Sequence, residues 1–275
     1  MTNVETITPA EAAAYLDLLI RPNRLLNPYI VQSYARDMTS GHWYLTGDPI
    51  RFDTEGRLID GQHRLKAAVL ANVPFESYVI RDLPTSVITV LDSGRKRTAG
   101  DLLAFRGHPN GHLLSATCKW MLTMKAMAQT NGKSIMPRTV MKPSYAEIVD
   151  IVEQHPELAH SCQVVMGAMG IRPSVLAAIH YVGKNLLKKQ EDGVFLADAF
   201  VKVFTKGIGY WEDNDPAIRL RDANIRDKLK GKSVSDRIAI ITSVYAWNHF
   251  SEGKPLVALR PPQIIKVTDL KPEMI

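Results

Sequence analysis

Cysteine is scarce: Cys118 and Cys162 are the only two in 275 residues. They form no CxxC pair and no His–Cys spacing of a zinc site, which excludes a disulfide framework and structural zinc. No stretch approaches the roughly 18 uninterrupted apolar residues of a membrane span, so no membrane partner is expected. The start, MTNVETITPAEAAAY, lacks the basic segment and apolar run of a secretory signal. The chain therefore reads as cytoplasmic. HExxH, GxSxG, GxGxxG and EF-hand patterns are missing. Gly132-Lys-Ser and Gly231-Lys-Ser resemble the end of a phosphate-binding P-loop, but Met127 and Arg226 stand where its first glycine is required. His108 and His112, and His155 and His160, are separated by helix breakers that deny them a shared face for a metal.

What is present is a globular composition, 45% hydrophobic and 23% charged, long enough for two domains. The net charge of +6 is unevenly spread. Residues 1–110 hold 12 Lys/Arg against 12 Asp/Glu, and residues 111–275 hold 22 against 16. Seven cations fall between Arg219 and Arg237 against three acids. A solvated helix face laced with i,i+4 pairs explains such a run, and so does a nucleic-acid patch with Arg219, Arg221 and Arg226 as contacts.

Residues 1–107 predict a small α+β domain of order α–α–β–β–α–β. Thr8 and Glu11 form a capping box for the first helix, and a second runs from Asn27 or Pro28 to Thr39. Strands follow around Pro49–Asp53 and Arg57–Ile59, then a helix over 62–71 and a strand over 76–81. Residues 108–275 predict a mainly α-helical domain with an extended tail. Its helices are expected over 113–129, 144–154, 158–169, 174–189, 192–206, 216–230 and 233–250. The stretch after Ser174 is too apolar for a recognition helix, so an αα-hairpin is expected there.

The informative segment is Arg57-Leu-Ile-Asp-Gly-Gln-His-Arg-Leu-Lys-Ala-Ala68. A strand ends, Gly61 permits a tight turn, and a helix begins whose first amides have no intrahelical partner. Such a start attracts phosphate. Arg64 can bind phosphate oxygens bidentately, and His63 can donate to one or shuttle a proton. A guanidinium there is electrostatically misplaced unless an anion occupies the turn. The alternative is a capped helix with an incidental polar turn.

Asp60-Gly-Gln-His-Arg-Leu-Lys-Ala67 resembles the signature of the ParB/sulfiredoxin superfamily, in the variety known as DGQHR or ParB-like domains. The resemblance covers roughly residues 5–107. It looks closest to bacteriophage and actinobacterial proteins that add a helical C-terminal region. ParB proteins bind CTP and DNA with Gly-Glu-Arg-Arg at this turn; here Gln62 and His63 replace the Glu and the first Arg. Sulfiredoxins place a nucleophilic Cys where Gln62 stands, which removes sulfur chemistry. Free-serine kinases of the superfamily match at Asp60, Gly61, His63 and Arg64. The shared implication is a nucleoside triphosphate, ATP or CTP, with its phosphates at Gly61, Gln62, His63 and Arg64. Asp60 and His63 are then the candidate catalytic residues.

A second cluster, Leu91-Asp-Ser-Gly-Arg-Lys-Arg-Thr-Ala-Gly-Asp101, sets three cations before Thr98, the expected N-cap of the next helix with Asp101 at N3. The resemblance adds Asp92, Arg95, Arg97 and Thr98 to the pocket; an exposed basic turn is the alternative. Asp60 and Asp92 are candidate Mg²⁺ ligands, with Asp48 a further carboxylate. Trp43 is a candidate for stacking on a base, although an aromatic beside Pro49-Ile50 also suits a core. The leading expectation is a nucleotide-binding ParB-like protein acting on or near DNA. The alternatives are a Mg²⁺-dependent phosphotransferase, NTPase or nuclease of the same fold, and a non-catalytic phage accessory protein. Homodimerisation is left open.

Overall fold

The computed structural model describes residues 2–21, 23, 25–89, 98–129, 143–168, 171–209, 214–262, 265 and 267–275. The chain forms two compact units, Met1–Lys96 with Lys142–Ala146, and Arg97–Met141 with Glu147–Ile275. The fold is α+β, and no helix among the described residues is long and apolar enough to cross a membrane.

The first unit opens with β1 (Thr2–Ile7), followed by α1 (Pro9–Asp17) and α2 (Pro28–Thr39). Then come β2 (Ile50–Asp53), β3 (Leu58–Asp60), α3 (Gln62–Ala71) and β4 (Phe75–Leu83). The sheet order is β1-β4-β2-β3, with β4 antiparallel to β1 and parallel to β2, and β2 antiparallel to β3. The helix starts obey local chemistry. Thr8 Oγ1 accepts from the Glu11 amide at 3.2 Å while the Glu11 carboxylate accepts from the Thr8 amide at 2.8 Å. Asn27 caps α2 by accepting from the Tyr29 amide. The apolar sides of the elements meet in one core, with Ile7, Val31, Met38, Ile50, Phe52, Leu58, Leu65, Phe75 and Val79 buried. Burying Leu65 alone contributes about 1.5–3 kcal/mol.

The unit carries one strand more than the expected α–α–β–β–α–β, and its order is β–α–α–β–β–α–β. β1 is short and half polar, and its register against β4 (Val4 opposite Tyr78) comes from a partner far along the chain.

The second unit is mainly helical: α4 (Ala99–Phe105), α5 (Gly111–Gln129), α6 (Tyr145–Gln154), α7 (Leu158–Val164) and α8 (Pro173–Tyr181). A π-helical turn (Val182–Leu186) and a two-residue ladder, β5 (Gln190–Glu191) with β6 (Val194–Phe195), lead to α9 (Leu196–Lys206). α10 (Pro216–Leu229) and α11 (Asp236–Ser251) complete it. Every residue from Ser174 to Tyr181 is buried, as befits a helix apolar on all sides, so α8 is a core element and not a DNA-reading one. α4, placed by the sequence reading in the first domain, contributes Ala99 and Leu103 to the helical unit's core beside Leu114 and Cys118. The single helix expected over 174–189 instead changes to π geometry after Tyr181. At Gly183 an added Cβ would lie 2.5 Å from Trp247 Cζ2, so the indole of α11 occupies the space a regular side chain would need.

Candidate functional site

The segment Asp60–Arg64 sits where β3 passes into α3. Gly61 has φ +109°, and an added Cβ would lie 2.4 Å from Ile50 Cδ1 on β2. Glycine is required twice over, for the backbone conformation and for the close approach. No side chain caps α3. Gln62 and His63 are buried, at 5% and 7% exposure, so the first turn of the helix lies inside the unit.

The side chains of this turn tie distant segments together. Arg64 donates to the carbonyl of Asp48 and, at 2.8 Å, to that of Pro49, anchoring the entry to β2. Its guanidinium also lies 3.6 Å from the Asp60 carboxylate. Arg51, on β2, donates to the same carboxylate. Asp60 is thus clamped between two guanidiniums. Burial pushes the Arg64 pKa down, Asp60 and Asp48 oppose that shift, and Arg51 adds to it. His63 Nε2 accepts the Asn27 amide at 3.0 Å, which fixes the tautomer with the proton on Nδ1 and ties α3 to the start of α2.

Two expectations change on this geometry. The anion that Arg64 requires is supplied from within by the Asp60 carboxylate, and two carbonyls supply its hydrogen-bond acceptors, so its position beside the helix start does not by itself demand a ligand. Asp60, expected as a Mg²⁺ ligand and catalytic carboxylate, is engaged by Arg51 and Arg64. Among the described residues no group of three His, Cys, Asp or Glu side chains could hold a metal ion.

Other expected site residues are dispersed. Trp43 packs edge-on against Tyr34 and Phe75, with ring centroids 5.2 and 6.0 Å away. It lines a groove of about 250 Å³ with Thr6, Met38, Leu45, Pro74, Phe75 and Glu76, none of which belongs to the Asp60–Arg64 turn. Thr98 belongs to the second unit, where its hydroxyl donates to Asp101 at 2.8 Å and accepts the Asp101 amide, closing the expected capping box. Asp92, Arg95 and Arg97 lie outside the described residues. On α10, Arg219 donates to Asn214 at 2.5 Å, and Arg221 lies against Gly207. Arg226 is exposed.

Sequence reasoning missed two polar constellations. Asp53 is buried and accepts from the amides of Glu55 and Arg57, the Arg57 Nε and the Thr85 hydroxyl, all within 3.1 Å. Burial works to raise its pKa, but these donors outweigh it and hold the carboxyl below its ordinary value. This carboxylate organises the β2–β3 turn, and the Asp53-Thr-Glu-Gly56 turn pattern was the only local signal for it. In the second unit, His180 Nδ1 lies 2.9 Å from Ser161 Oγ, and its Nε2 lies 2.9 Å from Asp198 Oδ1, which Lys184 also binds. The set has the composition of a nucleophile–base–acid relay. Ser161 and His180 are both 0% exposed, however, which seals the hydroxyl from any substrate. No spacing in the sequence announces it. Comparison with family models, with curated proteins and with solved structures finds no match.

Proposed function

We propose that the first unit is a ParB/sulfiredoxin-like module that binds a nucleoside triphosphate, ATP or CTP, with its phosphates at the Asp60–Arg64 turn. One observation carries the reading. Gly61, in a left-handed conformation pressed on Ile50, starts α3 without a side-chain cap beside two guanidiniums, Arg51 and Arg64. A polyphosphate supplies the acceptors that such groups bind best, and would exchange for the Asp60 carboxylate and the carbonyls of Asp48 and Pro49. Mg²⁺ would then arrive with the phosphates, since Asp60 is already engaged. The wider reading, action on or near DNA, draws on the basic balance of the second unit.

Thermal shift of the full chain against a nucleotide panel, with and without Mg²⁺, tests the proposal. Ligand at a hundred times its Kd stabilises by about 2.7 kcal/mol. Product analysis after incubation then separates a sensor from an NTPase or phosphotransferase. A second reading is favoured by the internal bonds of His63 and Arg64: the motif builds the fold, and the chain is a non-catalytic interaction protein. A melt that no nucleotide moves selects that reading.

A further inference from the structure

The end of α10 and the turn into α11 carry five exposed cations within twelve residues: Arg226, Lys228, Lys230, Lys232 and Arg237. None has an ion pair or side-chain hydrogen bond among the described residues. The neighbouring acids do not answer them. Asp236 is bound by Arg172 at 2.7 Å, Asp222 lies nearest Arg221 at 3.9 Å, and Asp227 alone remains.

The backbone here is fixed. Gly231 adopts φ +65°, its amide donates to the Lys228 carbonyl, and the Lys232 amide donates to the Asp227 carbonyl, which together form a Schellman close. The cations are therefore displayed on a defined turn. Arg226 and Lys230 lie one helical turn apart, on the same side of α10 as Arg219.

Helix electrostatics account for only part of this charge. Cations in the last turn of α10 complement its dipole, which explains Arg226 and Lys228. Lys232 lies beyond the helix, and Arg237 is the second residue of α11, at the end where the dipole already presents positive charge. Among the described residues neither Lys232 nor Arg237 has an ion pair or a side-chain hydrogen bond.

We infer that the α10–α11 turn docks the phosphate backbone of a nucleic acid, through Arg226, Lys228, Lys230, Lys232 and Arg237. This deepens the DNA half of the proposed function and is independent of the nucleotide pocket. It also shifts the interface from the residues expected on charge alone. Arg219 and Arg221 are held by Asn214 and against Gly207, whereas the unpaired cations lie further along. A membrane surface fits less well. Of the apolar residues of α10, Ala217 and Leu220 are buried in the unit's own core and Ile218, Ala223 and Ile225 are partly buried, so the exposed large apolar side chains at the turn are Leu229 and Ile238.

The test is fluorescence anisotropy of the full chain with labelled DNA of mixed sequence, duplex and single-stranded, between about 50 and 200 mM salt. The variant is Lys228→Glu/Lys230→Glu/Lys232→Glu. The control is Lys202→Glu/Lys206→Glu/Lys271→Glu, which makes the same change in net charge at exposed positions elsewhere. The expected result is binding by the native chain with a steep salt dependence. In the turn variant the slope of log K against log salt falls by about three, while the control keeps it. Nucleotide thermal shift should be unchanged in both variants, so failure of this surface and failure of the pocket are read separately. Equal losses in the two variants, absence of binding to either DNA, or binding to phosphatidylserine vesicles without DNA binding would each overturn the inference.

Discussion

Arg64 and Asp60 stand one helical turn apart across Gly61, with the guanidinium 3.6 Å from the carboxylate and both of its terminal nitrogens on backbone carbonyls upstream. The pair closes the first turn of α3 onto the entry to β2. Arg64→Ala therefore removes a half-buried, charge-assisted anchor, and stability should fall by about 1.5–3 kcal/mol. Arg64→Lys should restore only part, because an ammonium cannot span two carbonyls as a fork does. Denaturant titration, with hydrogen exchange reporting on residues 47–53 and 62–71, measures both. An unchanged or raised stability would mean that the side chain is held for a ligand and does nothing for the fold.

Gly61 makes a separable claim. Gly61→Ala should destabilise by more than about 1 kcal/mol, from the positive φ together with the collision of the added Cβ with Ile50 Cδ1. Ile50→Val deletes that methyl group at a cost of about 0.5–1.5 kcal/mol. The double variant should be more stable than the sum of the two single losses, since the clash is gone and only the backbone penalty remains. Strict additivity would locate the whole cost in the backbone.

What could be read in advance divides along the range of the interaction. Thr8 with Glu11, Asn27 before Pro28, and Thr98 with Asp101 are caps built within four residues, and the sequence shows them directly. So does the α+β texture of the first unit. The destination of Arg64 lay sixteen and fifteen residues upstream, on carbonyls brought there by antiparallel pairing of β2 with β3, which sets Asp60 opposite Arg51. The helix dipole alone leaves this cation unopposed, and it is the Asp60 carboxylate, 3.6 Å away, that opposes it in the fold. β1 and the π turn failed for the same reason, one needing the edge of β4 and the other the Trp247 indole against Gly183.

His180 gives the second unit a pH dependence with a definite sign. Burial lowers its pKa below the ordinary 6.5, Asp198 opposes this, and Lys184 and His160 add to the lowering. The neutral ring, bonded to Ser161 and Asp198, is the form the fold stabilises. Its contribution is full above about pH 6.5 and is lost as the pH falls from there through the lower folded value. His155 is shifted the same way by burial, with Glu157 opposing, so it shares the window. The Asp198 carboxyl, held low by Lys184 and His180 against its own burial, acts only in a more acidic range, below its ordinary 3.8. Melting temperature should therefore drop between about pH 7.5 and pH 5. His180→Gln should lower stability at the upper end and flatten the drop, leaving the share of His155. An undiminished drop in that variant would assign the dependence elsewhere.

Asp60 distinguishes the two roles open to a carboxylate at this turn. As a Mg²⁺ ligand, its loss would weaken Mg²⁺-dependent nucleotide binding and leave metal-free binding alone. As the internal counterion of Arg51 and Arg64, it competes with phosphate for both guanidiniums, and its loss has the opposite sign. The geometry selects the second role. With the carboxylate only partly buried, removing one negative charge a few ångströms from an incoming phosphate is worth about 1 kcal/mol. Asp60→Asn should then tighten metal-free ATP or CTP binding about fivefold, measured by calorimetric titration. The same change should lower the stability of the free protein, because two guanidiniums lose their shared acceptor. Weaker binding that appears only when Mg²⁺ is present would return Asp60 to the metal.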